Sequence, residues 1–207
     1  MSCLICSSSF LESASWKRLF MLKQPEVICE KCRSKFEKAK EKEHERDWIG
    51  TTYEGTLDSL TSYYEYNEWM KQVYQQYKFQ YDVELAKIFA TDLHPLQKNQ
   101  DSIIVPIPLH PDMLKDRTFS QVDELLIAAN VPFVHALTKM KNSSQVKKSK
   151  KERMESEINF SVCVGVEKRS IILVDDLYTT GTTLRQAAFV LKKAGAEQVH
   201  AITLIRA

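Results

Sequence analysis

The chain has 207 residues, 43% of them hydrophobic and 27% charged, with a formal net charge of +2 at pH 7. This composition builds a packed core and excludes a disordered chain; so small a net charge also excludes a global field that would by itself draw in nucleic acid or a membrane surface. No apolar run reaches the roughly 18 residues of a membrane helix, and the start MSCLICSSSF lacks the basic and apolar regions of a signal peptide, so we expect no membrane insertion and a cytoplasmic location with reduced thiols.

Residues 1–36 hold four of the five cysteines in two matched pairs, Cys3 with Cys6 and Cys29 with Cys32. A Cys-x-x-Cys turn aims two thiolates at one point, and two such turns complete a tetrahedron around Zn²⁺. Four thiolates leave no open position, so the expected site is structural, not catalytic. The metal supplies folding energy that so small a module cannot draw from a core, and SWKRLFML (residues 15–22) offers apolar cover. Cys163 stands alone between apolar neighbours in INFSVCVGV and is expected to be a buried core thiol.

Residues 37–100 read as a linker and helical segment. Glu37 to Asp47 alternates in charge, the pattern of a solvated linker or helix face. The stretch LTSYYEYNEWMKQVYQQYKFQYDVELAKIF is aromatic and helical in period, with Tyr66, Met70, Val73 and Tyr77 on one core-facing stripe. Interleaved aromatics and lysines are also the pattern of base stacking. Pro95 and the polar LQKNQD mark the end of this region.

From residue 101 to residue 207 the pattern changes. SIIVPIPLH predicts a buried strand, FSQVDELLIAAN a helix, VPFVHAL a strand, RSIILVDDL a strand, TTLRQAAFVLKKAGA a helix ending at Gly195, and QVHAITLIRA a last strand. Strands alternating with helices predict an α/β fold with a mostly parallel sheet.

Within this half, IILVDDLYTTGTT (Ile171 to Thr183) places two carboxylates at the end of a buried strand and a threonine nest at the start of a helix. In open α/β sheets, ligands bind at that end of the strands. Thr179, Thr180, Gly181, Thr182 and Thr183 would wrap the helix amino terminus, offering N–H groups and hydroxyls suited to a phosphate monoester. Gly181 permits close approach or a positive φ. Asp175 and Asp176 would repel that phosphate and suit the adjacent hydroxyls of a ribose, with Mg²⁺ nearby. A Walker loop is excluded because the G-x-x-x-x-G-K spacing is absent.

These residues resemble the 5-phosphoribosyl-1-pyrophosphate (PRPP) signature of type I phosphoribosyltransferases. With the four-cysteine module in front, the whole chain resembles the ComF family of bacterial competence proteins, in its ComFC type. Tyr77 to Phe89 is similar to the family's Lys-Tyr-x-x-Asp segment, with Phe79 in the tyrosine position. Ile104 to Gln121 is similar to its Val-Pro-x-Pro-Leu-His-Pro stretch and the Arg-Gly-Phe-Asn-Gln that follows. Arg117, Phe119 and Gln121 match there, while Thr118 and Ser120 stand in place of glycine and asparagine.

The resemblance implies a type I phosphoribosyltransferase-like parallel sheet, a ribose-phosphate site to which Arg117 and Gln121 contribute, and Asp175 and Asp176 as the catalytic acids. It also implies a flexible loop closing over pyrophosphate in the stretch Thr138 to Val162. Lys139, Lys141, Lys147, Lys148, Lys150, Lys151 and Arg153 crowd that loop, with Gln145, Arg153 and Asn159 in family positions. Charge alone fits pyrophosphate, a nucleic-acid backbone or plain solvation. Three functions follow as expectations: an accessory protein of natural transformation handling single-stranded DNA beside a helicase-type partner, a phosphoribosyltransferase with an unidentified acceptor, or a PRPP sensor without turnover.

Overall fold

The computed structural model describes residues 1–11, 26–40, 45–79, 83–109, 119–139 and 158–207. Its strands are β1 (Ser59–Glu65), β2 (Ser102–Pro106), β3 (Leu137–Lys139), β4 (Phe160–Val162), β5 (Ser170–Tyr178) and β6 (Gln198–Arg206). Its helices are α1 (Glu30–Arg33), α2 (Glu68–Phe79), α3 (Ala86–Leu93), α4 (Gln121–Ala128) and α5 (Thr182–Lys193).

Four strands form one all-parallel sheet in the order β1-β6-β5-β2. β5 lies inside it, and Ile171 to Val174 are buried in an unbroken apolar run, as expected for a strand covered on both faces. Side chains alternate across the sheet. Ile172 and Val174 join one core with Met70, Val73 and Tyr77 of α2, Phe89 of α3 and Leu125 of α4. Ile171 and Leu173 join a second core with Leu184, Ala187 and Leu191 of α5 and with Phe160. The chain is thus doubly wound, and truncating Leu173 to Ala in so tight a core costs about 2–5 kcal/mol.

The first core reaches into the amino-terminal module: Cys3, Ile28, Cys29 and Cys32 pack in the same cluster as Tyr64, Met70 and Phe89. On the other face, residues 45–57 lie against α5. Arg185, 1% exposed, meets the Glu45 carboxylate at 2.7 Å and donates to the Tyr53 carbonyl oxygen at 3.3 Å. Its guanidinium stands 5.3 Å from the centre of the Trp48 ring, and Tyr53 packs edge-on against Phe189.

Four expectations change. LTSYYE is not helical; it forms β1, because its backbone pairs with β6 and its side chains face both ways across the sheet. The helical stripe therefore begins at Met70, and Tyr66 lies before α2, its N–H bonded to the Arg206 carbonyl oxygen. Glu37 to Lys40 is backbone-paired along the outer edge of β1, with Ala39 donating to the Tyr63 carbonyl oxygen and Glu65 to that of Glu37.

VPFVHAL adds no strand to the sheet. Val134 donates to the Ile104 carbonyl oxygen beside β2, and Leu137 then turns away into an antiparallel ribbon with β4. Cys163 is exposed, not buried. Phe160 faces the core and Ser161 faces out; the same alternation carries Cys163, after Val162, to the outer side, where its sulfur lies 3.2 Å from the His135 carbonyl oxygen.

Candidate functional site

The strand-to-helix turn after β5 folds over Tyr178. Gly181 is the amino-terminal cap of α5 and holds φ at +81°, a conformation that disfavours any Cβ. A Cβ there would also lie 2.7 Å from the Tyr178 hydroxyl. Tyr178 is itself fixed by Arg206, whose guanidinium stands 4.9 Å from the ring centre.

Thr180 and Thr182 hydroxyls meet at 3.0 Å across the turn. Thr179 is exposed, Thr180 and Thr183 are half-buried, and Thr182 is buried. The first N–H groups of α5 have no intrahelical acceptor, and the dipole of this helix adds partial positive charge at that end. Such a helix start can accept an anion.

The two acids leave β5 on opposite faces, yet their carboxyl groups still interact. Asp176 points to the α2 face, where the Tyr74 hydroxyl donates to its Oδ2 at 2.7 Å. Lys78 stands 3.7 Å from the same oxygen and donates to the Tyr74 hydroxyl at 2.7 Å. Asp175 points to the α5 face, and its Oδ1 accepts the Asp176 N–H at 2.9 Å. Burial pushes the Asp175 carboxyl well above the ordinary carboxylate range; the Asp176 charge adds to this, and Lys139 opposes it. Burial likewise pulls Lys139 down, with the Asp175 charge opposing.

Gln121 is buried at the start of α4, and its carbonyl oxygen accepts the Tyr77 hydroxyl, which places it on the Asp176 side of the sheet. Ser120 caps that helix by accepting the Asp123 N–H at 3.3 Å. Arg117, Lys147, Lys148, Lys150, Lys151 and Arg153 lie outside the described residues.

At the amino terminus, the sulfurs of Cys3, Cys6, Cys29 and Cys32 all lie within 4.8 Å of one another. Cys6 and Cys29 sulfurs are 3.7 Å apart, which matches the edge of about 3.8 Å that a tetrahedron with 2.3 Å Zn–S bonds requires. Hydrogen bonding by the Ser8 hydroxyl, at 2.9 Å, lowers the Cys6 thiol to about 6, whereas burial raises Cys32. The donor set and its spacing fit a closed structural zinc site.

Residues 97–207 match the family model of the phosphoribosyl transferase domain. The competence protein ComFC of Bacillus subtilis (strain 168) is 35% identical over 99% of this chain and 94% of its own length. Competence protein ComFC of Streptococcus pneumoniae (strain ATCC BAA-255 / R6) is 31% identical, with both chains covered in full. The chain belongs to the ComF family, ComFC type. Among solved structures, an allosteric regulatory enzyme of purine biosynthesis gives a TM-score of 0.39 at 23% identity, covering 57% of this chain and 25% of that one.

In this ComF-family chain Thr179 to Thr183 span the turn after β5 and the start of α5, and Asp175 and Asp176 lie within β5, separated from the turn by Leu177 and Tyr178. Three side chains near the acids were missed: Tyr74, Lys78 and, as a partner for Asp175, Lys139. Tyr74 and Lys78 carried a usable signal, since they lie one turn apart on a helix; only the packing of that helix directs them to β5.

Proposed function

We propose that this ComF-family protein serves DNA uptake in natural transformation and binds PRPP at the end of β5. The phosphate monoester sits on the Thr179–Thr183 turn, and Asp176 accepts from a ribose hydroxyl. The observation that carries this is the Gly181-capped start of α5, a turn suited to an anion, a few residues after a carboxylate that suits a sugar hydroxyl. The competence-protein relatives support the biological half of the proposal.

Beyond the cysteines, no group of three or more metal-ligand side chains occurs among the described residues. Any Mg²⁺ is assigned to the oxygens of PRPP itself with Asp175 or Asp176 as a protein partner, since Mg²⁺ is commonly held by one or two carboxylates plus phosphate oxygens. The lysine stretch 147–151 is assigned to single-stranded DNA, because four lysines within five residues exceed what one pyrophosphate uses.

Titration calorimetry with PRPP tests the site. Asp176→Ala should weaken binding roughly 10- to 150-fold, the worth of a charge-assisted hydrogen bond, and Thr183→Val should weaken it less. Unchanged affinity in both variants would refute the site. The phosphoribosyl transferase domain match favours a second reading, transfer of the phosphoribosyl group by positioning and electrostatic stabilisation of an oxocarbenium-like state. Acceptor-dependent pyrophosphate release would establish it.

A further inference from the structure

We infer that Arg206 is the cation of the phosphate subsite: its guanidinium, packed on the Tyr178 ring beside the Thr179–Thr183 turn, supplies the full positive charge that a phosphate monoester on that turn requires. The inference rests on the ribose-phosphate reading of the turn after β5.

The turn itself brings only partial charge. Its residues are four threonines and a glycine, and the start of α5 adds a helix dipole worth about half an elementary charge. A phosphate monoester carries roughly 1.5–2 negative charges at pH 7. Other cations near the end of β5 are engaged. Lys78 stands 3.7 Å from Asp176 Oδ2, Lys139 lies in the field of Asp175, and Arg185 meets Glu45 at 2.7 Å.

Arg206 is not engaged in this way. It is 9% exposed, yet no carboxylate pairs with it among the described residues. Glu65, its register partner on β1, gives its carboxylate to the Lys40 N–H at 3.0 Å. What holds the guanidinium is the Tyr178 ring, whose centre lies 4.9 Å away. A buried cation without a counter-charge is costly, and an aromatic face offsets only part of that cost. An incoming anion would satisfy the remainder.

The backbone puts this charge at the right end of the sheet. Register sets Arg206 opposite Tyr178, where β5 ends and the turn begins. The hydroxyl end of the same ring lies against Gly181, since a Cβ there would be 2.7 Å from it. One ring therefore spans from the guanidinium to the amino-terminal cap of α5. Arginine suits the task because its planar fork matches phosphate oxygens in pairs.

Calorimetry on the whole protein with ribose 5-phosphate and ribose 5-sulfate reads the charge, because the sulfate has the same shape and a single negative charge. Arg206→Gln should weaken ribose 5-phosphate binding roughly 10- to 150-fold and ribose 5-sulfate binding less, so the preference for phosphate narrows. Arg206→Lys should keep most of that preference. A merely structural role, in which Arg206 only props Tyr178, would weaken both esters alike. In the parent, the Arg206 guanidinium N–H resonances, assigned through their nuclear Overhauser contacts with the Tyr178 ring, should move downfield on addition of ribose 5-phosphate.

Parental affinity for ribose 5-phosphate in Arg206→Gln would overturn the proposal, as would equal losses with both esters. Should the variants fail to fold, guanidinium resonances unmoved at saturating ribose 5-phosphate in the parent would overturn it as well. A parent that binds neither ester would instead remove the ribose-phosphate reading, and this inference with it.

Discussion

Asp175 and Asp176 are adjacent on β5 and face opposite sides of the sheet. Asp176 meets Tyr74 and Lys78 from α2, while Asp175 meets the field of Lys139 from β3. A two-residue side-chain period makes this unavoidable in a regular strand. The pair therefore divides between two environments, one satisfied by a neutral donor and a cation, the other desolvated, although Asp176 still acts on Asp175 through its charge and a side-chain hydrogen bond.

That division has a pH signature. Asp175 is raised in the folded protein, so folding binds its proton more tightly than the unfolded chain does. Its contribution to stability is fully present below the unfolded value of about 3.9 and is lost as pH rises through the folded value. Asp175→Asn mimics the protonated acid. Thermal melting should find it more stable than the parent at pH 7, with the difference shrinking toward pH 3.

The turn should tolerate no side chain at Gly181. A left-handed conformation costs an L-residue about 1–2 kcal/mol, and the added Cβ would meet the Tyr178 ring. Gly181→Ala should lower the melting temperature and weaken PRPP binding together. A variant with parental affinity would show that the turn's shape is not what binds the phosphate.

Arg185 should matter for stability through its side chain, which binds residues 45–53. Arg185 carries Glu45, the Tyr53 carbonyl and the Trp48 ring at once, but Glu45 is one-third exposed and resolvates, so removing the guanidinium costs about 1–3 kcal/mol. Arg185→Met should lose stability in that range, read by urea unfolding, and residues 45–57 should become protease-sensitive in the native state.

Zinc loss should spread beyond the amino-terminal module. Cys3, Cys29 and Cys32 share a buried cluster with α2 and α3. Metal analysis should find about one Zn²⁺ per chain. Cys32→Ser should lower the melting temperature of the whole chain by on the order of 10 °C, as loss of a structural metal belongs with the largest mutational effects. A metal-free preparation melting like the parent would contradict this.

The lysine stretch is tested by salt. If Lys147, Lys148, Lys150 and Lys151 neutralise DNA phosphates, replacing all four by alanine should flatten the log–log salt dependence of single-stranded DNA binding by up to about 3 units. PRPP affinity should hardly change. The opposite result would assign the stretch to pyrophosphate.

Much of this protein is legible in its sequence because the relevant physics is local. The doubled Cys-x-x-Cys spacing converges four thiols, and the run from Ile171 to Thr183 orders apolar strand, acids and anion-binding turn within thirteen consecutive positions. Period and covalent spacing decide such features before any long-range contact forms. Tertiary structure alone decided the rest. Ser59 to Glu65 became a strand because β6 lies beside it, with Ser62 and Thr203 meeting across 141 residues of sequence. Asp176 received Tyr74 across 102 residues because α2 packs on that face of β5. Aromatic residues such as Tyr63, Tyr64 and Tyr66 suit a pleated surface as well as a helix face, and burial against a distant partner, not local propensity, makes the choice.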